Sequence, residues 1–231
     1  MKQTFLHPFY VFLMVFLTGC QSNEIADSNT VNQDSIYQEY AVSYSERTGY
    51  ITVRAAFRHG GSNGTTLLLS DSSKVTFNGH KMIPDSNFLS GVFYTDPTTQ
   101  LLKSGQTMRF EFTDLQGKKY RNEYKLNVLK LQQLPKELKS GEDLVIPTLN
   151  SGVFVGEQIH VRMESDSQIS SCLANLSNGK LTVYAKDLTN LKGVVTVEIT
   201  RDYKEEVKAA GSEGGQCLIS YEYEPFTVEI K

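Results

Sequence analysis

The sequence predicts an all-β protein: two consecutive antiparallel β-sandwiches behind an N-terminal targeting segment and a polar tether. Three observations predict it. Apolar and polar residues alternate with period two in one short segment after another. Turn signals such as Asn78-Gly79 separate those segments. Helical spacing of apolar residues is almost absent, the short charged stretch Tyr203 to Ala210 being the one candidate.

The composition of the 231 residues supports a folded chain, with 39% hydrophobic and 10% aromatic residues. The net charge of −3, with acids and bases spread along the length, excludes the basic patch that a nucleic-acid binder needs. A single long apolar segment, at the N-terminus, excludes a multi-pass membrane protein.

Residues 1–19 read as a signal peptide. Lys2 is a short positive region, and Phe9 to Leu17 is an unbroken apolar run of nine residues. A spanning helix needs about 20 residues, so this run has the length of a signal-peptide core instead. The run closes on Leu17-Thr18-Gly19-Cys20. This tetrad resembles the lipobox of bacterial lipoproteins. The resemblance implies diacylglyceryl transfer to the Cys20 thiol, cleavage before Cys20 and attachment to a membrane through the N-terminal lipid. It also implies an address in the cell envelope, the outer membrane where the organism has two, since Gln21 rather than Asp follows the cysteine. Two or three acyl chains make a stable anchor where one is marginal. An ordinary secretory signal with a chance cysteine is the plainer alternative.

Residues 20–35 then form the lipidated end and a tether. They are polar, with Ile25 and Val31 the only large apolar residues. So little apolar surface does not offset the entropy of ordering, which predicts a disordered segment.

The first sandwich is assigned to residues 36–131. Tyr50 to Arg58 alternates, with Ile51, Val53, Ala55 and Phe57 on one face and Thr52, Arg54 and Arg58 on the other. Thr65 to Leu69 and Lys74 to Phe77 follow, and Asn78-Gly79 turns the chain. The hairpin near residues 108–125 fixes its own register. With Asp114 to Lys118 as the loop, Phe112 faces Tyr120, Glu111 faces Arg121 and Arg109 faces Glu123. A one-residue slip would turn one strand inside out. Pro135 and Ser140-Gly141 interrupt the pattern, and the boundary is placed before them.

The second sandwich is assigned to residues 132–231. Its strands are Asp143 to Ile146, Gln158 to Met163, Lys180 to Ala185, Val194 to Thr200, Leu218 to Glu224 and Phe226 to Ile230. Six or seven short strands in about 100 residues resemble the immunoglobulin-like sandwiches of bacterial surface proteins. The chain has no Trp, so the buried Trp of antibody domains is absent.

Cys172 and Cys217 are the cysteines left after lipidation. In an oxidising compartment an even pair predicts a disulfide, and two buried thiols are the alternative. Only His59, His80 and His160 lie beyond the signal peptide, and no Cys-x-x-Cys occurs, so no metal or other cofactor is expected.

Gly60-Gly61-Ser62-Asn63-Gly64 matches the Gly-x-Ser-x-Gly string of serine hydrolases. That chemistry needs Ser62 on a turn between a parallel strand and a helix. Thr65-Thr66-Leu67-Leu68-Leu69 reads as a returning strand, so a hairpin connection is expected and no enzyme. Glu164-Ser165-Asp166 lacks the ligand run of a Ca²⁺ loop and reads as a solvated turn. Phe88, Phe93 and Tyr94 lie around turns and are the candidate ligand contacts. The expected partner is another envelope protein or a glycan, held by a binding or scaffolding surface.

Overall fold

In the computed structural model the described residues are 24–88, 90–97, 100–101, 106–149 and 156–231. They form an all-β sandwich architecture in which three sheets enclose two hydrophobic cores.

The chain opens with β1 (Ile25–Asp27), β2 (Ile36–Ser45), β3 (Tyr50–His59) and β4 (Thr65–Leu68). It continues with β5 (Lys74–Phe77), β6 (His80–Lys81), β7 (Ile83–Asn87), β8 (Gly91–Thr95), β9 (Gln100–Leu101), β10 (Thr107–Thr113) and β11 (Lys119–Lys125). Then come β12 (Lys130–Leu131), β13 (Glu137–Leu138), β14 (Leu144–Leu149), β15 (Gln158–Glu164), β16 (Ile169–Leu173), β17 (Asn175–Ser177) and β18 (Lys180–Val183). The last strands are β19 (Gly193–Glu206), β20 (Gly215–Glu222) and β21 (Phe226–Ile230).

One large sheet runs through the whole molecule in the order β1-β4-β3-β2-β20-β19-β15-β16, with further strands branching from it. A small sheet β11-β10-β5-β6 covers its first half, and another, β12-β14-β18-β17, covers its second. The two halves are therefore not separate beads. Strand β2 pairs in parallel with β20 over eight residues, from Gln38 opposite Gly215 to Ser45 opposite Glu222.

The period-two pattern explains the first core. Tyr40, Val42, Val53, Ala55 and Phe57 point inward from the large sheet against Phe77, Phe110, Phe112, Tyr120 and Tyr124 from the small one. Aromatic rings fill this layer: Tyr40 stacks on Phe110 at 4.4 Å between centroids, and Phe57 lies 4.5 Å from Phe112. The second core is mainly aliphatic, built on Leu144, Ile146, Val161, Leu181, Val195, Val197 and Ile199. The β10–β11 hairpin adopts the expected register, with Phe112 opposite Tyr120, Glu111 opposite Arg121 and Arg109 opposite Glu123. Asn78 and Gly79 both take positive φ in the two-residue turn joining β5 to β6, as that turn type requires.

Four expectations are corrected. Residues 24–35 are no free tether: β1 pairs in parallel with β4, and Ser28 and Gln33 are buried. The segment is held by polar contacts, which hydrophobicity does not register, and by Ala26 and Val31 packed against the first core. Gln33 Nε2 donates to the Ser28 carbonyl at 2.7 Å, and Ser70 N–H donates to Ser28 Oγ at 2.9 Å.

The stretch Tyr203 to Ala210 is not a helical turn. Its first part continues β19, and Tyr203 and Val207 are buried.

The boundary between the halves falls earlier than residue 131. Leu126 touches both cores, Leu129 belongs to the second, and β12 already pairs with β14. Four residues of the C-terminal half, Tyr203, Val207, Cys217 and Ile219, fill the first core.

Lastly, Cys172 and Cys217 are free thiols. Cys172 on β16 faces Val161, Cys217 on β20 faces Glu205, and β15 and β19 lie between them. Three strand spacings alone hold the cysteines at least about 14 Å apart, twice the reach of a disulfide, and on β19 their positions differ by the run from Ile199 to Glu205 as well.

Candidate functional site

Both small sheets cover the same side of the large sheet, and among the described residues no third sheet covers its other face. At the seam between the halves the strand order β3-β2-β20-β19-β15 brings residues from both ends of the chain into rows. One row runs Arg54, Ala41, Leu218, Lys204, each opposite the next. The row beside it runs Thr52, Ser43, Ser220, Asp202, Gln158. Ala41, Ser43 and Ser220 in the middle of the rows are short, Leu218 beside them is apolar, and Arg54, Lys204 and Gln158 at the ends are long. Ala41, Ser43, Leu218 and Ser220 over β2 and β20, flanked by Arg54, Lys204 and Gln158, line a groove of about 510 Å³. Hydroxyl, carboxamide, carboxylate and cationic groups surround its floor, and the rings of its strands point into the cores. The floor itself is mainly apolar, with Ala41 and Leu218 at its centre, so such a surface suits an extended ligand that makes apolar contacts on the floor and hydrogen bonds at the rim.

Arg54 is the most constrained member. Its guanidinium carbon lies 3.7 Å from the Phe93 ring centroid, a cation–π contact. Burial holds its pKa below the ordinary arginine value, opposed by the carboxylates of Glu39 and Asp85. Lys204 is exposed on the far wall.

The aromatic candidates separate. Phe88, at the tip of the β7–β8 hairpin, is 87% exposed. Phe93 and Tyr94 lie within β8 and are only 8% and 4% exposed, which removes both as open contacts. Phe93 is covered by Arg54, and the Tyr94 hydroxyl accepts a hydrogen bond from the Leu69 N–H at 2.6 Å. Their neighbourhood of turns suggested exposure, but β8 is hydrogen-bonded on both sides.

Ser62 sits in the loop between β3 and β4, which pair antiparallel at Arg58–Thr66 and His59–Thr65. The strand-to-helix turn of a hydrolase elbow is not formed there. Glu164 is ion-paired with Arg162, which also holds Glu198 at 3.0 Å. Among the described residues no three His, Cys, Asp or Glu side chains are grouped to hold a metal ion. Among the same residues no helix is long and apolar enough to cross a membrane. Cys20, the lipidation candidate, lies outside the described residues. Burial raises the pKa of Cys172, with Asp187 adding to it, and that of Cys217 still further, so both favour the protonated thiol.

No protein-family model matches this chain, and no curated protein does. Several solved structures share distant likeness. A tri-modular GH5 (subfamily 4) endo-β-1,4-glucanase from Bacillus licheniformis is 11% identical, with a TM-score of 0.32. That match covers 81% of this chain and 38% of the other. The mixed-linkage glucan utilization locus protein SGBP-B of Bacteroides ovatus, in complex with a mixed-linkage heptasaccharide, is 14% identical, with a TM-score of 0.25. It is matched over 92% of this chain and 47% of its own. The tandem Ig repeats of Dlar are 10% identical over 85% of this chain and 96% of theirs, with a TM-score of 0.27. The chain thus spans less than half the length of the first two, and the ligands and activities of all three remain theirs alone.

Proposed function

We propose that this chain is a non-enzymatic, lipid-anchored cell-envelope protein that holds an extended partner segment against the open face of its large sheet. The anchor rests on Leu17-Thr18-Gly19-Cys20 after the apolar run. The binding role rests on one observation: the groove over Ala41, Ser43, Leu218 and Ser220 where β2 and β20 meet. A continuous sheet makes this face rigid, so a partner meets it without an ordering cost on the protein side.

Replacing Cys20 with Ala should abolish palmitate incorporation and leave unprocessed precursor; unchanged labelling would exclude the anchor. A photo-crosslinking residue at Ser220 in the full chain should capture one discrete partner in cells. The same probe at Glu123, on the small sheet, should not. Filling the groove with Ala41→Arg should remove the Ser220 adduct, and an adduct that survives it would place the binding surface elsewhere.

A glycan-binding reading is favoured by one feature, the exposed ring of Phe88. It predicts that an envelope polysaccharide retards the protein in affinity electrophoresis and that Phe88→Ala relieves the retardation. Equal mobility with and without each polysaccharide would end it.

A further inference from the structure

Strand β16 is the last strand of the large sheet, and its register determines which backbone groups face outward. The Ser165 N–H donates to the Gln168 carbonyl at 2.9 Å, and the Ala174 N–H donates to the Ile159 carbonyl at 2.8 Å. In an antiparallel ladder hydrogen-bonded and non-hydrogen-bonded pairs alternate. Between those two bonds, Ser170 and Cys172 therefore direct their backbone groups to Met163 and Val161 on β15. The N–H and C=O of Ile169, Ser171 and Leu173 point away from the sheet. Among the described residues no strand pairs with that edge.

The side chains of the same three residues lie on the open face. Ile169 is 60% exposed and Leu173 is 55% exposed. Sheet edges are normally blunted by charges or proline. Strand β11 carries Lys119, Arg121, Glu123 and Lys125, and β7 carries Pro84 and Asp85. Strand β16, Ile-Ser-Ser-Cys-Leu, carries none of these.

We propose that β16 pairs antiparallel with β16 of a second copy of this chain, about a two-fold axis at Ser171. The strand is complementary to itself in this register. A closed two-fold interface requires that residue i meet j while j meets i. With Ser171 on the axis, Ile169 of each copy lies opposite Leu173 of the other, so both exposed apolar side chains gain an apolar neighbour. All three outward-facing residues fall at hydrogen-bonded positions, which closes the ladder on both copies. Ser171, small and uncharged, permits the approach at the axis. Charge is compatible as well. Glu164 flanks Ile169 and His160 flanks Leu173 on β15, and each has a partner within its own copy, Arg162 for Glu164 and Asp202 at 3.5 Å for His160. Arg162, level with the axis, is already held by Glu164 and Glu198.

A five-residue pairing buries less than the roughly 1,200–2,000 Å² of stable complexes, so the association depends on local concentration. It uses no residue of the groove and does not depend on the anchor.

The test is disulfide trapping of the full chain in the cells that express it, with Cys172→Ala as background. The Cα atoms of a hydrogen-bonded antiparallel pair lie about 5.5 Å apart, within disulfide range. Ser171→Cys should give a covalent dimer on mild oxidation, at least several-fold more than Ser62→Cys in the exposed β3–β4 loop. Both variants share Cys20 and Cys217, so the comparison removes their contribution. Adding Ile169→Lys and Leu173→Lys should abolish the dimer. Both sites are exposed, and an unchanged far-ultraviolet spectrum would verify that the fold survives. Equal dimer from Ser171→Cys and Ser62→Cys overturns the proposal. So does trapping of Ser171→Cys to a different protein, identified by mass spectrometry of the adduct.

Discussion

The most consequential residue inside the seam is Arg201, whose side chain is fully buried. Its Nε donates to Glu157 Oε1 at 2.7 Å, and Nη1 donates to the Asn127 carbonyl at 2.7 Å. The Asn127 N–H in turn donates to the Tyr203 hydroxyl at 3.0 Å. Burial pushes the Tyr203 phenol up to about 12, so it stays neutral while it accepts this bond. Both polar groups of the Asn127 peptide are thus held by β19, where the chain passes from one core to the other. Removing one partner of a buried ion pair costs about 3–5 kcal/mol, because the other charge is left uncompensated. Arg201→Met should destabilise the protein by that order in chemical denaturation, and adding Glu157→Gln should recover part of it. A loss below about 1 kcal/mol from Arg201→Met alone would show that Glu157 finds water instead. Sequence alone hid this contact. Arg201 falls on the inward side of an alternating strand, where apolar residues are the rule. Tyr40, Tyr44, Tyr221 and Tyr223, by contrast, are legible in the sequence as core residues, because they share a strand face with Val42 and Ile219, and Tyr44 is the one of them only partly buried.

At the scale of elements, the sequence pattern located most strands but not the contacts that join distant ones. The β10–β11 register was legible because opposite charges and matching rings both fail under a slip. The segment before β2 was not, because it docks through main-chain carbonyls. The Asp34 carbonyl accepts from both the N–H and the hydroxyl of Ser212, at 2.7 and 2.9 Å. The glycines around Ser212 follow from this docking. A Cβ on Gly211 would lie 2.2 Å from the Asp34 carbonyl oxygen, and one on Gly215 would lie 2.2 Å from the Gln38 carbonyl oxygen. Neither neighbour is a flexible side chain, so the backbone itself must shift. Overpacking of this kind costs about 1–3 kcal/mol. Gly211→Ala should lower the denaturation midpoint accordingly and increase amide exchange in β1 and the first turns of the chain. Gly214→Ala, with nothing near its Cβ position, should show only the smaller strain of its positive φ. Equal losses at both positions would mean that the loop does not press on residues 34–38.

The whole molecule differs from two consecutive sandwiches in one respect, and that respect creates the groove. An alternating pattern tells which residues share a face, but not which strand lies beside which. The parallel pairing of β2 with β20 joins residues 38–45 to residues 215–222. No local signal announces such a pairing, so the members of the groove were legible only as outward-facing positions on separate strands. The same pairing predicts how the protein unfolds. The first core includes Tyr203, Val207, Cys217 and Ile219, and β2 is a central strand only while β20 is present. A chain ending at Leu131 would expose the backbone edge of β2 and open its aromatic core from one side. Such a fragment loses side chains worth about 1.5–3 kcal/mol each on burial, together with a full ladder of hydrogen bonds. The margin of a whole domain is only about 5–15 kcal/mol, so the fragment should not fold. The intact protein should unfold in one transition. Because it has no Trp, tyrosine fluorescence, from Tyr40, Tyr94, Tyr120, Tyr124 and Tyr203 in the first core and Tyr221 and Tyr223 in the second, can be compared with far-ultraviolet dichroism from all sheets. Coincident curves are the expected result. Two separated transitions, or a cooperatively folded fragment ending at Leu131, would mean that the β2–β20 ladder adds little and that the groove opens and closes as the halves move.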